Sequence, residues 1–263
     1  MKKSILAADP VTLPNGQKMK LVEFLAWAKS LDHDSPPQHG SEEPIVCTTA
    51  LVLADCFPCV GGPIFEASPG PVCGWTYTAA FGGKGGEVSF AGGQMLMQML
   101  ANNNVPAAYK QALNPTIVSR TGQFTFTEFA GSVGFGISFY EHFLINAGKT
   151  QAVYMRLLDD GTLFIQAGLT LNATVFTGFW TPNNGTHTVH YNVVGLNNIQ
   201  LWIDGVLISL SPLGSGGIAT MSLPDNIAAF FFAAGNYFPD VASIDSVFIS
   251  RPLLPPSTVF CCT

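Results

Sequence analysis

The stretch HTVHYNVVGLNNIQLWIDGVLISL, residues 187–210, limits the possible folds of this chain more than any other segment. Polar and apolar residues alternate on both sides of Asp204-Gly205, a dipeptide that favours the positive φ angles of a two-residue turn. A period of two residues is typical of a β-strand with one buried face. The stretch therefore predicts an antiparallel hairpin with its tip at Asp204-Gly205.

The side chains near this tip are apolar on both faces of the predicted hairpin. A two-residue turn places Leu201, Ile203, Val206 and Ile208 on one face and Trp202 with Leu207 on the other. We therefore expect a second sheet to cover one face and another part of the protein to cover the opposite face. Ile244 and Val247 are expected to join Trp202 and Ile203 in the packing.

Similar short runs follow one another from about residue 87 onward. Each is alternating or apolar and is bounded by Gly, Asn, Asp or Pro, and a second Asp-Gly hairpin is expected at Asp160-Gly161. Many evenly spaced antiparallel strands without a long helix predict an all-β fold, a sandwich of two sheets.

Three regions differ in their sequence texture. Residues 1–86 are predicted to be an irregular N-terminal arm, residues 87–253 the sandwich, and residues 254–263 a C-terminal tail. Within the arm, residues 17–31 have apolar residues at helical spacing and predict a short helix. Residues 44–86 show few strand patterns, so we expect them to gain order by packing on a neighbouring subunit.

Charged residues make up only 11% of the chain, against an average of about 25%. This shortage predicts that much of the surface contacts other subunits, in a homo-oligomer with a trimer slightly favoured. No Lys or Arg lies between Arg156 and Arg251 and the net charge is -6, so a nucleic-acid partner is not expected. The apolar run in MKKSILAADP is too short for a signal peptide, and no membrane span is predicted.

Several segments resemble the concanavalin A-like, laminin-G-type lectin family. They are a strand that begins at His187, the run Leu201-Trp202-Ile203-Asp204-Gly205-Val206, and ASIDSVFISRPL at 242–253. EVSFAGGQMLMQ (87–98) resembles the first strand of that family, and GQFTFTEFA (122–130) resembles the strand that opens the family's sheet. The resemblance implies a jelly-roll sandwich that binds glycans, often with calcium.

A glycan site of this kind combines a stacking aromatic residue with Asn, Asp and backbone donors on a loop. The candidates are Trp180, Asn183, Asn184, Asn236, Tyr237 and Asp240. Calcium needs converging oxygen ligands, which Asp159 with Asp160, or Asp240, could supply.

The residues argue against catalysis. Glucanases of this fold carry closely alternating carboxylates, whereas this chain has no Glu after Glu141, and Asp245 is expected only to hold a turn or loop. No nucleophile elbow is present, and His187 and His190, three residues apart, face opposite sides of their strand. We therefore predict that the protein is not an enzyme.

Four cysteines, Cys47, Cys56, Cys59 and Cys73, have the spacing C-x8-C-x2-C-x13-C. This spacing is compatible with a tetrahedral zinc site, with free buried thiols or with disulfides. Cys261 and Cys262 are expected to be incidental or to link subunits.

A lectin-like sandwich with a docking arm and little charge is typical of virion proteins. We therefore expect a bacteriophage capsid decoration, head-fibre or tail-fibre protein that is assembled in the host cytoplasm with other virion proteins. Two alternatives remain: a free soluble lectin for cell-surface glycans and a divergent polysaccharide-degrading enzyme.

Overall fold

The structure is a computed structural model, and every regular element among its described residues is a β-strand. None of the described segments is a helix of the length and hydropathy that a membrane crossing requires. The structure describes residues 11–12, 18–19, 45–46, 51–65, 70–78, 86–99, 106–111, 118–128, 136–146, 149–169, 172–183, 185–216, 227–234 and 241–261.

The strands are numbered in chain order. The first seven are β1 (Val11–Thr12), β2 (Lys18–Met19), β3 (Ile45–Val46), β4 (Leu51–Asp55), β5 (Gly61–Ile64), β6 (Thr76–Tyr77) and β7 (Gly86–Ala91). The next seven are β8 (Gln94–Met99), β9 (Ala107–Gln111), β10 (Arg120–Glu128), β11 (Gly136–Asn146), β12 (Lys149–Leu158), β13 (Thr162–Leu169) and β14 (Asn172–Phe179). The last seven are β15 (Thr186–Val194), β16 (Asn198–Ile203), β17 (Val206–Leu207), β18 (Ser211–Gly216), β19 (Ile227–Ala234), β20 (Val241–Ser250) and β21 (Val259–Phe260).

Two large antiparallel sheets form the sandwich. One has nine strands in the order β17-β16-β15-β10-β20-β8-β7-β5, with β4 pairing with the second half of β20. The other has eight strands in the order β18-β14-β13-β12-β11-β19-β9-β6. The all-β, antiparallel two-sheet jelly-roll sandwich expected from the sequence is confirmed.

The core lies between the inward faces of these sheets and is rich in aromatic rings. Phe124 of β10 stacks on Phe139 of β11 at a centroid distance of 4.8 Å and meets Phe231 of β19 edge-on at 5.4 Å. Because such rings bury large apolar areas and pack at specific angles, they fix one sheet against the other.

The hairpin at Asp204-Gly205 is confirmed in its register and turn. Trp202 pairs with Leu207 and Ile203 with Val206, and Asp204 (φ 53°) and Gly205 (φ 77°) both have positive φ. The expected cover over both faces of the tip is wrong, because β17 is the edge strand and its side chains are 64% and 58% exposed. The packing expected of Ile203, Ile244 and Val247 is confirmed, since all three are buried in the core.

The sandwich begins well before residue 87, which corrects the expected boundary of the arm. The chain divides into two compact units, Met1–Glu43 and Pro44–Thr263. Strands β4, β5 and β6 belong to the two large sheets, and Trp75 is fully buried against Phe231. Residues 87–98, expected as one strand, instead form the β7–β8 hairpin. The described residues of 44–86 therefore gain order on their own sandwich.

One carboxylate ties this early segment to the eight-stranded sheet. Asp55 accepts hydrogen bonds from the indole nitrogen of Trp75 (2.8 Å) and from Lys110 Nζ of β9 (2.6 Å). Sequence analysis shows no sign of this link, because the three residues are far apart in the chain.

The C-terminal tail also belongs to the fold. The Leu254 amide donates a hydrogen bond to Thr121 Oγ1 (2.7 Å), and β21 pairs in parallel with β3. Phe260 stacks on Phe248 with a centroid distance of 4.8 Å. Residues 254–261 are thus part of the sandwich unit and not a separate tail.

The helix expected over residues 17–31 is wrong where the structure describes it. Lys18–Met19 form β2, which pairs antiparallel with β1. The rest of that segment lies outside the described residues.

The described cysteines are in disulfides, and they form neither the zinc site nor the free thiols considered above. Cys59 and Cys73 form a disulfide, and Cys56 and Cys261 are also disulfide-bonded. A sulfur bonded to another sulfur offers no thiolate to a metal. Cys47, the remaining member of the set, lies outside the described residues.

Replacing Cys59 and Cys73 together with serine is expected to reduce the free energy of unfolding by about 3 kcal/mol, since the bond closes a loop across 14 residues. Urea unfolding followed by tryptophan fluorescence measures the change. Val60→Ser, an exposed substitution inside the loop, is the control and should stay within about 0.5 kcal/mol of the unmodified chain. A loss below 1 kcal/mol for the double variant would contradict this expectation.

Candidate functional site

The outward side of strands β11 to β14 is the candidate site, and we call it the β11–β14 face. Successive residues of a strand point to opposite sides of the sheet, and Phe139, Met155 and Ile165 point into the core. Their neighbours therefore point away from the nine-stranded sheet. The described side chains of this face include Ser138, Tyr140, His142, Tyr154, Arg156, Phe164, Gln166, Val175, Thr177 and Phe179.

Strand register arranges most of these side chains in two rows. The first row runs Tyr140, Tyr154, Gln166, Val175, and the second runs Ser138, Arg156, Phe164, Thr177. Direct partners across a sheet have Cβ atoms about 4.5–5.5 Å apart. Ser138 and Tyr140, the β11 members of the rows, are buried, so the accessible platform is the part on β12 to β14.

An aromatic pair lies at the centre of the platform. The rings of Tyr154 and Phe164 meet edge-on with centroids 6.1 Å apart, and both are partly exposed. Arg156 is exposed, and its Nε lies 3.7 Å from the position that a Cβ on Gly136 would take. Gln166 Nε2 lies 4.0 Å from the position that a Cβ on Gly216 would take. The polar ends of Arg156 and Gln166 therefore lie on the two sides of the aromatic pair.

Two phenols of this face are neutral near pH 7. Burial raises the pKa of Tyr140 to about 12 and also raises the pKa of Tyr154. The hydroxyl of Tyr140 lies 3.2 Å from Nδ1 of His142, and both side chains are buried. These hydroxyls are therefore hydrogen-bonding groups and not bases.

No carboxylate lies on the described part of this face. Glu141 of β11 points the other way, into the core, where its Oε1 is 2.5 Å from Arg120 Nε and its Oε2 accepts a 2.7 Å hydrogen bond from Tyr191. Burial raises the pKa of Glu141, although the charge of Arg120 opposes that shift. Its carboxyl group is thus enclosed and engaged.

The structure corrects the role expected for Trp180. This residue is only 6% exposed, its indole nitrogen donates a hydrogen bond to the Leu158 carbonyl (3.1 Å), and its ring packs edge-on against His187 (4.9 Å). It belongs to the core, so a sugar ring cannot stack on it. The preceding residue, Phe179, is the exposed one, at 75%.

Of the other residues predicted for the glycan site, the structure describes Asn183 alone. Asn183 is exposed in the loop that follows β14. The rest lie outside the described residues: Asn184, Asn236, Tyr237 and Asp240.

The two histidines of β15 lie on opposite faces and have structural contacts. His187 Nδ1 lies 2.7 Å from Asp204 Oδ2, and the same carboxylate accepts a hydrogen bond from the Thr188 amide (2.8 Å). His190 packs edge-on against Trp202, and its Nε2 lies 3.2 Å from the Leu254 carbonyl oxygen. His187 thus holds the hairpin tip and His190 holds the C-terminal segment.

Two of the acidic residues, Asp160 and Asp245, accept hydrogen bonds from neighbouring groups. Asp160 Oδ1 accepts a hydrogen bond from the Thr162 amide (2.7 Å), which lowers the pKa of Asp160. Asp245, expected in a turn or loop, lies instead in β20, where it accepts hydrogen bonds from Gln94 and Thr127 across the sheet. The described part of the chain contains no cluster of three or more His, Cys, Asp or Glu side chains that could hold a metal ion.

We expect stability to fall as the pH decreases from about 6.5 to about 4 because of His190. Burial lowers the pKa of His190 to about 4, whereas an unfolded histidine has a pKa of about 6.5. The unfolded chain therefore binds one more proton in this window, and full protonation corresponds to a loss of about 3 kcal/mol. Urea unfolding at pH 7, 5.5 and 4 should show a shallower pH dependence for His190→Gln. Parallel curves for both proteins would contradict this assignment.

Sequence reasoning missed Tyr154, Arg156, Phe164 and Gln166. The available signal was the alternation in TQAVYMRLLDDGTLFIQAG, where these residues fall on the more polar side. The alternation does not give the pairing register of β12 and β13. That register depends on the connection between them, which has three residues and not two. The amide of Gly161 donates to the Leu158 carbonyl oxygen (3.0 Å), and Gly161 has φ 82°.

Fold and site together define the class of protein: an antiparallel β-sandwich with an aromatic and polar platform on one sheet. No protein-family model and no curated protein sequence matches the chain. Among solved structures, it is similar to the β-glucanase of Bacillus licheniformis, with 14% identity and a TM-score of 0.47, over 73% of this chain and 99% of that chain.

Two further solved structures show similarity of the same degree. The potassium-bound carbohydrate recognition domain of Emp46p has 12% identity and a TM-score of 0.45, over 75% of this chain and 99% of that chain. A carbohydrate esterase from Shiga toxin-encoding bacteriophage phi24B has 14% identity and a TM-score of 0.46, over 77% of this chain and 99% of that chain.

Proposed function

We propose that this protein is a non-enzymatic glycan-binding protein whose binding site is the β11–β14 face. The observation that carries the proposal is the partly exposed ring pair of Tyr154 and Phe164, flanked by Arg156 and Gln166. Aromatic rings provide an apolar surface for the C–H groups of a sugar, and neighbouring polar groups hydrogen-bond its hydroxyls.

The platform is prepared for binding before a ligand arrives. Its central side chains come from β12 and β13. These strands pair without interruption from Gln151 opposite Leu169 to Leu157 opposite Leu163. Groups on paired strands lose less conformational freedom on binding than groups on loops, which favours affinity.

Binding without hydrolysis is supported by the orientation of the carboxylates. Retaining glycosidases need two carboxyl groups about 5 Å apart beside the bond that breaks. Glu141, the carboxylate of β11, lies in the core, where Arg120 and Tyr191 occupy it.

We further propose that the chain is a virion surface protein of a bacteriophage (capsid decoration, head fibre or tail fibre) and that it forms a homo-oligomer, with a trimer favoured. The low share of charged residues, 11%, supports extensive contacts with other subunits. The Cys59–Cys73 disulfide supports a location outside the reducing cytosol, such as a particle surface. A free soluble lectin would use the same face without the assembly.

The binding proposal is tested by a glycan array followed by calorimetry on the full chain. Tyr154→Ala and Phe164→Ala are each expected to weaken binding about tenfold, the equivalent of one ring contact of about 1.4 kcal/mol. Phe65→Ala, which removes an exposed ring elsewhere, is the matched control and should leave the affinity unchanged. Unchanged affinity in both site variants, or turnover of any polysaccharide by the protein, would overturn the proposal.

The assembly proposal needs separate measurements. Light scattering on the full chain is expected to give a mass of three chains of 28.0 kDa, and mass spectrometry of purified phage particles is expected to detect the chain. A monomer that is absent from the particles would support the free lectin instead.

A further inference from the structure

The charge on the β11–β14 face is one-sided. Arg156 is the only formally charged side chain that the described part of this face presents, and it is exposed. The ion pairs among the described residues are Lys110–Asp55, Arg120–Glu141 and His187–Asp204. Arg156 belongs to none of them, so its guanidinium is available to a ligand.

In the nearby turn, the Asp160 carboxylate is held by the local backbone. Asp160, four residues later, directs Oδ1 to the Thr162 amide at 2.7 Å. Arg156 Nε lies 3.7 Å from the position of a Cβ on Gly136, a position that Leu158 Cδ2 approaches to 2.7 Å. Arg156 is exposed and lies directly opposite Phe164 of the aromatic pair.

We propose that the glycan bound by this face is acidic and carries carboxylate groups, as a polyuronate does. This inference rests on the proposed glycan-binding function and names its ligand class. Arg156 binds the carboxylate, because the planar guanidinium fork matches two carboxylate oxygens. Phe164, its direct partner across the strands, and Tyr154 support the sugar ring.

Neutral glycans are disfavoured on the same face for a complementary reason. A neutral ligand that covers Arg156 removes water from a charge without providing a counter-charge, which is unfavourable. A carboxylate repays that desolvation with charge-assisted hydrogen bonds. Affinity should therefore decrease when the salt concentration rises, since part of the attraction is screened.

The experiment compares a polyuronate oligosaccharide with its carboxyl-reduced form, which has the same linkages and no charge. Calorimetry on the full chain is expected to show at least tenfold tighter binding of the acidic form. Arg156→Gln should abolish that preference and Arg156→Lys should retain part of it. Arg251→Gln, an exposed arginine outside the site, is the matched control and should leave the preference intact. Unchanged thermal unfolding confirms that the variants are folded.

The outcomes separate this inference from the proposed function. Equal affinity for both forms, with loss of binding in Tyr154→Ala, overturns the acidic ligand and leaves glycan binding in place. Retention of the preference in Arg156→Gln overturns the role of Arg156. Tighter binding of a sulfated form of the same oligosaccharide overturns the assignment to carboxylates, and binding of none of these forms overturns both proposals.

Discussion

Replacement of Glu141 with leucine is expected to lower the free energy of unfolding by about 3–5 kcal/mol, because it leaves Arg120 buried without a counter-charge. Both side chains are fully buried between the sheets, and Arg120 Nε lies 2.5 Å from Glu141 Oε1. A buried cation without a partner loses its hydration and gains nothing in return. Urea unfolding of the two proteins measures the difference.

The rest of the network explains why this site cannot easily relax. Arg120 Nη1 donates to Gln151 Oε1 at 2.9 Å, and its guanidinium lies 4.8 Å from the ring centroid of Phe143. Gln151 in turn donates to the carbonyl oxygens of Gly195 (2.7 Å) and Leu196 (2.8 Å). The charged pair therefore links strands of both sheets to the loop after β15.

The control for this prediction removes both charges. The double variant Arg120→Met with Glu141→Leu leaves no unpaired ion and should be clearly more stable than Glu141→Leu alone, because apolar replacements of a buried pair are often neutral. A single variant that loses less than 1 kcal/mol would show that the pair is not buried as described. A double variant less stable than the single one would contradict the role of the unpaired charge.

Gly122→Ala is expected to destabilise the protein by about 3 kcal/mol or more, the sum of overpacking and one lost hydrogen bond to a charged group. Gly122 pairs with Tyr191 across β10 and β15, and the Tyr191 ring occupies the space next to it. A Cβ at residue 122 would lie 2.0 Å from Tyr191 Cζ and 2.1 Å from its hydroxyl oxygen. The ring must move, and the hydrogen bond from Tyr191 to Glu141 is then lost.

Gly70→Ala provides the matched control, since a Cβ at residue 70 meets nothing within 4 Å. Its stability should lie within about 0.5 kcal/mol of the unmodified chain in the same urea titration. If Gly122→Ala is as stable as Gly70→Ala, the ring of Tyr191 does not occupy the space above Gly122 in solution.

Local chemistry in the sequence was enough to predict the sandwich and its clearest hairpin. An Asp-Gly turn adopts positive φ at low energy, and the alternation of apolar residues distinguishes an apolar side from a more polar side in each strand. Both signals come from residues close together in the chain, so they need no knowledge of the rest of the fold. The register at Trp202–Leu207 agrees with them.

The extent of the sandwich could not be predicted in this way. Strand β4 pairs with β20 although nearly two hundred residues separate them, and Asp55 joins Trp75 to Lys110. A short irregular segment such as residues 51–77 is ordered by such distant partners. The arm expected up to residue 86 therefore proved to be largely sheet where the structure describes it.

The candidate site depended on the tertiary structure for a similar reason. Trp180 looked like a ligand-stacking residue because sequence shows its chemistry and not its burial, and packing against His187 places it in the core. The platform of Tyr154, Arg156, Phe164 and Gln166 arises from a three-residue connection, whereas a two-residue turn would shift the register by one and oppose Arg156 to Ile165. The sequence by itself determined most strands after residue 106, the Asp204-Gly205 turn and the alternation of the strand faces, because these follow from local backbone preferences. Only the tertiary structure decided which faces are buried, which distant strands pair and which side chains form the platform, because those outcomes depend on contacts between residues far apart in the chain.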